Sequence, residues 1–183
     1  MKSLWTNTLA WVAAVIAALA LAIATPHESS VMGKLPSLQT KRLDQRPLVF
    51  PQELGAERTL ALIAFSKAQR PDVESWIDGL KLRSDNSISW VRVPVYADNG
   101  DIASRDAAEH RMLSRYPTPG ERSNVVPVFT DRDAFIRAAG LSDTDHVYAV
   151  VVNRQGEVLA RAQGEYDPDK ARALRETLHA QNF

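Results

Sequence analysis

Arg58 to Phe65 reads RTLALIAF, Pro71 to Arg83 reads PDVESWIDGLKLR, and Ile88 to Val95 reads ISWVRVPV. The first run is apolar almost without interruption, the pattern of a strand covered on both faces. In the second, Val73, Trp76, Ile77 and Leu80 fall at i, i+3, i+4 and i+7, one stripe of a helix. Pro71 suits the first turn of that helix, where its missing N–H costs nothing. The third run returns to strand composition. Strand, helix and strand in this order predict a parallel pair joined by a right-handed crossover.

Toward the C-terminus, Tyr96 to Asn124 is a longer excursion. It is expected to hold a helix over Ile102 to Tyr116, with Met112, Leu113 and Tyr116 on one side, stopped by Pro117-Thr118-Pro119-Gly120. Val125 to Thr130 (VVPVFT) reads as a short strand. Thr130 and Asp133 read as a capping pair for a helix carrying Phe135, Ile136 and Ala139 and ending at Gly140. Val147 to Val152 (VYAVVV) is another strong strand. The turn Asn153-Arg154-Gln155-Gly156 returns it as a hairpin through Glu157 to Gln163. Asp167 caps a last helix, Pro168 takes its first position, and Ala171, Leu174 and Leu178 give it an apolar face. Phe65, Trp76, Ile77, Leu80, Trp90, Val93, Val150, Val152 and Leu174 are the expected core.

Toward the N-terminus, Thr25 to Arg46 shows no sustained period and reads as a tether or an irregular lead-in, a linker over residues 25–46 leaving a domain over 47–183. Residues 1–24 read as a signal peptide or a signal anchor. Leu9 to Ala24 (LAWVAAVIAALALAIA) carries no charge and only Lys2 precedes it with one, the arrangement of an export signal. Ala22-Ile23-Ala24 offers small residues for cleavage, whereas Trp5 and Trp11 offer interfacial anchors for a segment of about 20 apolar residues. Both alternatives place the domain outside the cytoplasm. It is expected at a bacterial inner membrane facing the periplasm, or free in the periplasm after cleavage.

The composition excludes several functions. Of 183 residues, 45% are hydrophobic, and 22 Lys+Arg balance 22 Asp+Glu; a neutral chain lacks the electrostatic footprint that nucleic acid requires. With no cysteine, disulfides, thiol catalysis and thiolate metal sites are excluded. His27, His110, His146 and His179 share no metal-ligand spacing, so no metal or other cofactor is expected. Adjacent Glu109 and His110 face different ways on a helix. Asp143 and Asp145 are too sparse an oxygen set for calcium. Gly33, Gly79 and Gly120 form no phosphate loop, Ser66 lies in no G-x-S-x-G elbow, and Trp76 and Trp90 sit in core patterns.

The order of elements looks like the thioredoxin-like fold: an α/β three-layer sandwich with a central mixed sheet, here preceded by an N-terminal hydrophobic helix. The segment VPVFTDRDAFIRAAGL is similar to one that peroxiredoxins carry before their closing hairpin. YAVVVNRQGEVLARAQGEYDPDKARALRETL (Tyr148 to Leu178) resembles the closing strand–turn–strand–helix, and the resemblance spans about 48 to 180. The departures concern chemistry. In thioredoxins and peroxiredoxins the reactive cysteine follows the first core strand, near a helix N-terminus that lowers its pKa; here that segment is Ser66-Lys67-Ala68-Gln69-Arg70-Pro71. The place of the family's cis-proline is Thr144-Asp145-His146. The resemblance therefore implies the fold without the family's peroxidase or disulfide-exchange chemistry. FSKAQRPDVESWIDGL is also similar to cysteine-less relatives of this fold that act as ATP-synthase assembly factors in mitochondria.

Ser66, Lys67, Gln69 and Arg70 lie where this fold places its working loop. Two cations, two neutral polar groups and backbone N–H groups at a helix start suit an anion or carboxylate, against the alternative of a solvated polar loop. Two functions follow. One is a non-catalytic binding or assembly module, membrane-tethered, whose partner is another protein. The other is a periplasmic enzyme using non-thiol groups near Ser66, Lys67 and His146, which requires those side chains within hydrogen-bond reach.

Overall fold

Pairing of the two strongest strands decides the architecture. In the computed structural model, which describes residues 31–180, β3 (Arg58–Ala64) lies between β4 (Trp90–Ala97) and β6 (Tyr148–Asn153). β3 and β4 are parallel with Leu62 opposite Arg92. β3 and β6 are antiparallel with Ala61 opposite Val150. β5 (Val128–Thr130) adds parallel to β4 and β7 (Val158–Gln163) adds antiparallel to β6, giving the order β5-β4-β3-β6-β7. The central mixed sheet and its flanking helices have the thioredoxin-like form expected. Residues 1–30, with the hydrophobic helix, the signal peptide or anchor and His27, lie outside the described residues.

Period-2 alternation assigns each face of the sheet to a separate core. Ala61, Ile63, Val93, Val150 and Val152 pack with Phe135 and Ile136 of α4 (Arg132–Ala139). Leu60, Leu62, Trp90 and Val151 pack with Trp76 and Ile77 of α1 (Arg70–Gly79) and with Leu174 of α5 (Pro168–His179). All nine residues expected in the core are buried. Fully burying side chains of this size is worth about 1.5–3 kcal/mol each, and two-sided burial explains why β3 and β6 read as continuous apolar runs.

Local signals placed most element ends. Pro71 occupies the first turn of α1. Asp167 caps α5 by accepting from the N–H groups of Asp169 and Lys170. Gly140 ends α4 in the left-handed region at φ 67°. Two readings are corrected. α4 is capped by Asp131, not Thr130: the Asp131 carboxylate accepts from the N–H groups of Asp133 and Ala134, both at 3.0 Å. The strand expected from Val125 starts at Val128, because Pro127 has no N–H to donate and Val125 makes an isolated bridge to Arg92. α2 (Ile102–Arg115) stops before Pro117 as expected, and a Thr118–Glu121 capping box then opens the short α3 (Pro119–Ser123).

Part of the segment read as a tether is integral to the domain. β1 (Leu38–Lys41) and β2 (Pro47–Phe50) form an antiparallel hairpin, and Leu35 and Leu43 are each 1% exposed. Met32 donates to the Val158 carbonyl at 2.9 Å, and Lys34 to that of Ala138 at 2.7 Å. These buried leucines are isolated in sequence, so no period announced them. The crossing depends on Gly33: a Cβ there would lie 2.4 Å from the carbonyl carbon and oxygen of Ala139. Gly33→Ala is therefore expected to cost roughly 1–3 kcal/mol, the usual penalty of overpacking against backbone. It should also open the chain to proteolysis just before Leu35. A urea melt with a timed digest checks this; an unchanged midpoint and digest would show that the crossing relaxes freely.

Candidate functional site

The loop after β3 is held from below by one side chain. Gln69 is buried at 6% exposure. Its Oε1 accepts from the N–H of Phe65 at 2.7 Å and of Ser66 at 3.2 Å, and its Nε2 donates to the Thr144 carbonyl at 2.7 Å. Gln69 thus ties the segment where a thioredoxin carries its thiol to the segment where it carries its cis-proline. Phe65, the residue after β3, packs edge-on against Phe135 and Tyr148. Its carbonyl accepts from Arg132 at 3.1 Å, and the Arg132 guanidinium lies 5.4 Å from its ring.

Of the four residues expected to form a ligand site, three line one recess and one does not. Ser66, Lys67 and Arg70 edge a cavity of about 90 Å³ between α1, β4 and the C-terminal end of α2. Gln69 is turned inward as a structural tie. His146 is outside the lining: its Nδ1 is 2.9 Å from Asp143 Oδ1, and that bond holds the Asp143 carboxyl below its ordinary value. Ser66 and Lys67 therefore share the recess with each other and not with the histidine. Among the remaining histidines, His110 lies exposed on α2 and His179 in the last turn of α5. Among the described residues no group of three His, Asp or Glu side chains is arranged to hold a metal ion.

The rest of the lining comes from residues that the sequence did not mark as ligand-binding. Arg92, on β4, is 7% exposed. Its guanidinium lies between two rings, 5.0 Å from the Trp90 centroid and 5.3 Å from that of Tyr116. It donates to Glu74 Oε1 at 3.2 Å, while the other oxygen of Glu74 accepts from Arg83. Arg92 Nε is buried without a hydrogen-bond partner. Tyr96 and Arg115 complete the polar lining; Leu62, Ala64, Val73, Pro94 and Met112 supply the apolar part. Burial pushes the Tyr96 phenol above its ordinary pKa, so near neutral pH it remains an O–H donor. One signal could have exposed Arg92: a charged residue in the middle of ISWVRVPV, where a fully apolar strand needs none.

Comparison with known proteins gives the fold and no more. No protein-family model matches the chain, and no curated protein matches its sequence. Solved structures do match. One is BsSco, a member of the Sco family of cytochrome c oxidase assembly proteins, with TM-score 0.51 and 14% identity over 79% of this chain and 91% of that one. Another is the N-terminal domain of PilB from Neisseria gonorrhoeae, with TM-score 0.50 and 14% identity over 78% of this chain and 89% of that one. A third is the exposed lipoprotein thioredoxin Etrx1 of Streptococcus pneumoniae strain TIGR4, with TM-score 0.50 and 10% identity over 77% and 99%. The described residues have a thioredoxin-like α/β fold, and the chain has no cysteine. At such identities the likeness is one of fold, and chemistry has to be argued from the recess itself.

Proposed function

We propose that this chain is a non-catalytic thioredoxin-like binding or assembly module. It is exported across a bacterial inner membrane, held there by its N-terminal apolar segment, and engages a protein partner through the surface around Ser66, Lys67 and Arg70. The observation that carries this reading is the state of the working loop. Its fold position is retained and tied in place by Gln69, yet it presents a hydroxyl and two cations where the fold's chemistry needs a thiolate. A fold neighbour drawn from a family of assembly proteins supports the same reading. The uncharged run Leu9 to Ala24 behind Lys2 supports export.

The test is recovery of a partner from detergent-solubilised membranes with the full chain as bait. Lys67→Glu/Arg70→Glu, which reverses two charges at the mouth, is expected to lose at least about tenfold of the partner recovered by the unaltered chain, as charge reversal at a complementary surface does. Equal recovery by both would overturn the assignment of this surface. In the same preparation, insulin reduction and peroxide consumption are expected at blank rates. A C-terminal tag protected in spheroplasts, with the chain in the cytosol, would overturn export.

A further inference from the structure

We propose that the recess beside Ser66 binds a carboxylate attached to a short aliphatic group, with Arg92 as its anchoring cation. The proposal rests on the binding-module reading and specifies what that site accepts.

Three observations converge on this chemistry. The first is Arg92 itself, a buried guanidinium that lines the cavity and whose Nε has no hydrogen-bond partner. Buried polar groups in native proteins are almost always paired, and an exception calls for a ligand, a water or an ion. The second is charge. Lys67, Arg70, Arg92 and Arg115 line the recess against one carboxylate, Glu74. Glu74 is already shared with Arg83, whereas Lys67, Arg70 and Arg115 form no salt bridge among the described residues. A second carboxylate at Arg92 would meet guanidinium N–H groups that Glu74 does not engage, and carboxylate is the anion whose planar oxygens match that fork. The third is shape. The polar groups surround an apolar floor that includes Leu62, Val73, Pro94 and Met112, and a volume of about 90 Å³ suits a branched aliphatic group rather than a fused ring system.

This chemistry has two sources: a free short-chain carboxylic acid, or the C-terminal carboxylate of a partner peptide ending in an aliphatic residue. They are separated by titrating the full chain, in detergent micelles, with 4-methylpentanoate and with the peptide acetyl-Ala-Ala-Ala-Leu, each against its amide. Amide and side-chain NMR signals are followed, including Arg92 Nε–H. Both acids are expected to shift Arg92 Nε–H and the Ser66 and Lys67 amides, with affinity at least about tenfold above their amides, the margin a charge-assisted pair provides. A tighter peptide assigns the site to a partner's C-terminus; a tighter free acid assigns it to a small molecule. Arg92→Lys, which keeps the charge and loses Nε, is expected to weaken binding about tenfold while the chain still melts cooperatively. Should Arg92→Lys fail to fold, Arg115→Ala at the rim gives the second readout, a several-fold loss that grows smaller as salt is raised. Acids and amides binding alike, or shifts that map away from Arg92, would overturn the proposal. The membrane pull-down remains separate. Loss of a partner on charge reversal without carboxylate binding removes this inference alone. Carboxylate binding without any recovered partner leaves it standing and counts against the protein-docking reading.

Discussion

Gln69→Ala is expected to destabilise the domain by about 2–4 kcal/mol, lowering the melting temperature by roughly 5–15 °C. The side chain makes three hydrogen bonds, two from the backbone N–H groups of Phe65 and Ser66 and one to the Thr144 carbonyl. Truncation leaves the buried Phe65 N–H and two part-buried groups without that partner, and an unmet buried group costs about 1–3 kcal/mol. Part of that cost returns if water enters the vacated space, which sets the lower end of the range. Gln69→Glu separates the two halves of the tie. Its carboxylate still accepts from the two N–H groups but cannot donate to Thr144. An intermediate melting temperature is therefore expected at neutral pH. Hydrogen exchange at the Phe65 amide gives the local readout. A Gln69→Ala protein that melts with the unaltered chain and protects that amide equally would show that the loop is held by packing alone.

Trp76→Ala carries the larger penalty, about 3–5 kcal/mol from the cavity left by a fully buried indole. Trp76 is also hydrogen-bonded, its Nε1 donating to the Gly164 carbonyl at 2.8 Å. Its ring meets Tyr166 edge-on at 5.5 Å. That second ring is confined by Gly79, where a Cβ would lie 2.5 Å from it. Tyr166 therefore has little room to fall into the cavity, which argues for the upper end of the range. Trp76→Phe keeps an aromatic edge and loses the donor, and about 1–2 kcal/mol is expected from the unpaired carbonyl and the smaller ring. Chemical denaturation of the three proteins checks the order. Equal midpoints for Trp76→Phe and Trp76→Ala would assign the whole effect to the hydrogen bond. Both experiments bear on the recess, because Trp76 and Gln69 fix the helix and the loop that form one wall of it.

Local chemistry made the order of elements legible. Periodicity in β3, α1, β6 and α5 is a property of neighbouring residues, and Pro71, Gly140, Asp167 and Pro168 mark ends by their own backbone preferences. The lack of cysteine excluded thiol chemistry from composition alone, and the fold's loop position singled out Ser66, Lys67, Gln69 and Arg70 as candidates. Tertiary structure decided which side chains meet. Gln69 belongs to the polar loop by sequence, yet the approach of Thr144, far along the chain, turns it into an interior tie. Arg92 reads as one interruption in an apolar strand. Only the stacking of Trp90 and Tyr116 around it, with Glu74 from the crossover helix, makes it part of the lining of a recess. Leu35 and Leu43 read as tether because a single leucine has no period; the hairpin and the Gly33 crossing gave them a core to enter. A pattern in sequence reports which face of an element is apolar, whereas the partner of a lone polar or apolar residue is set by chain closure between distant segments.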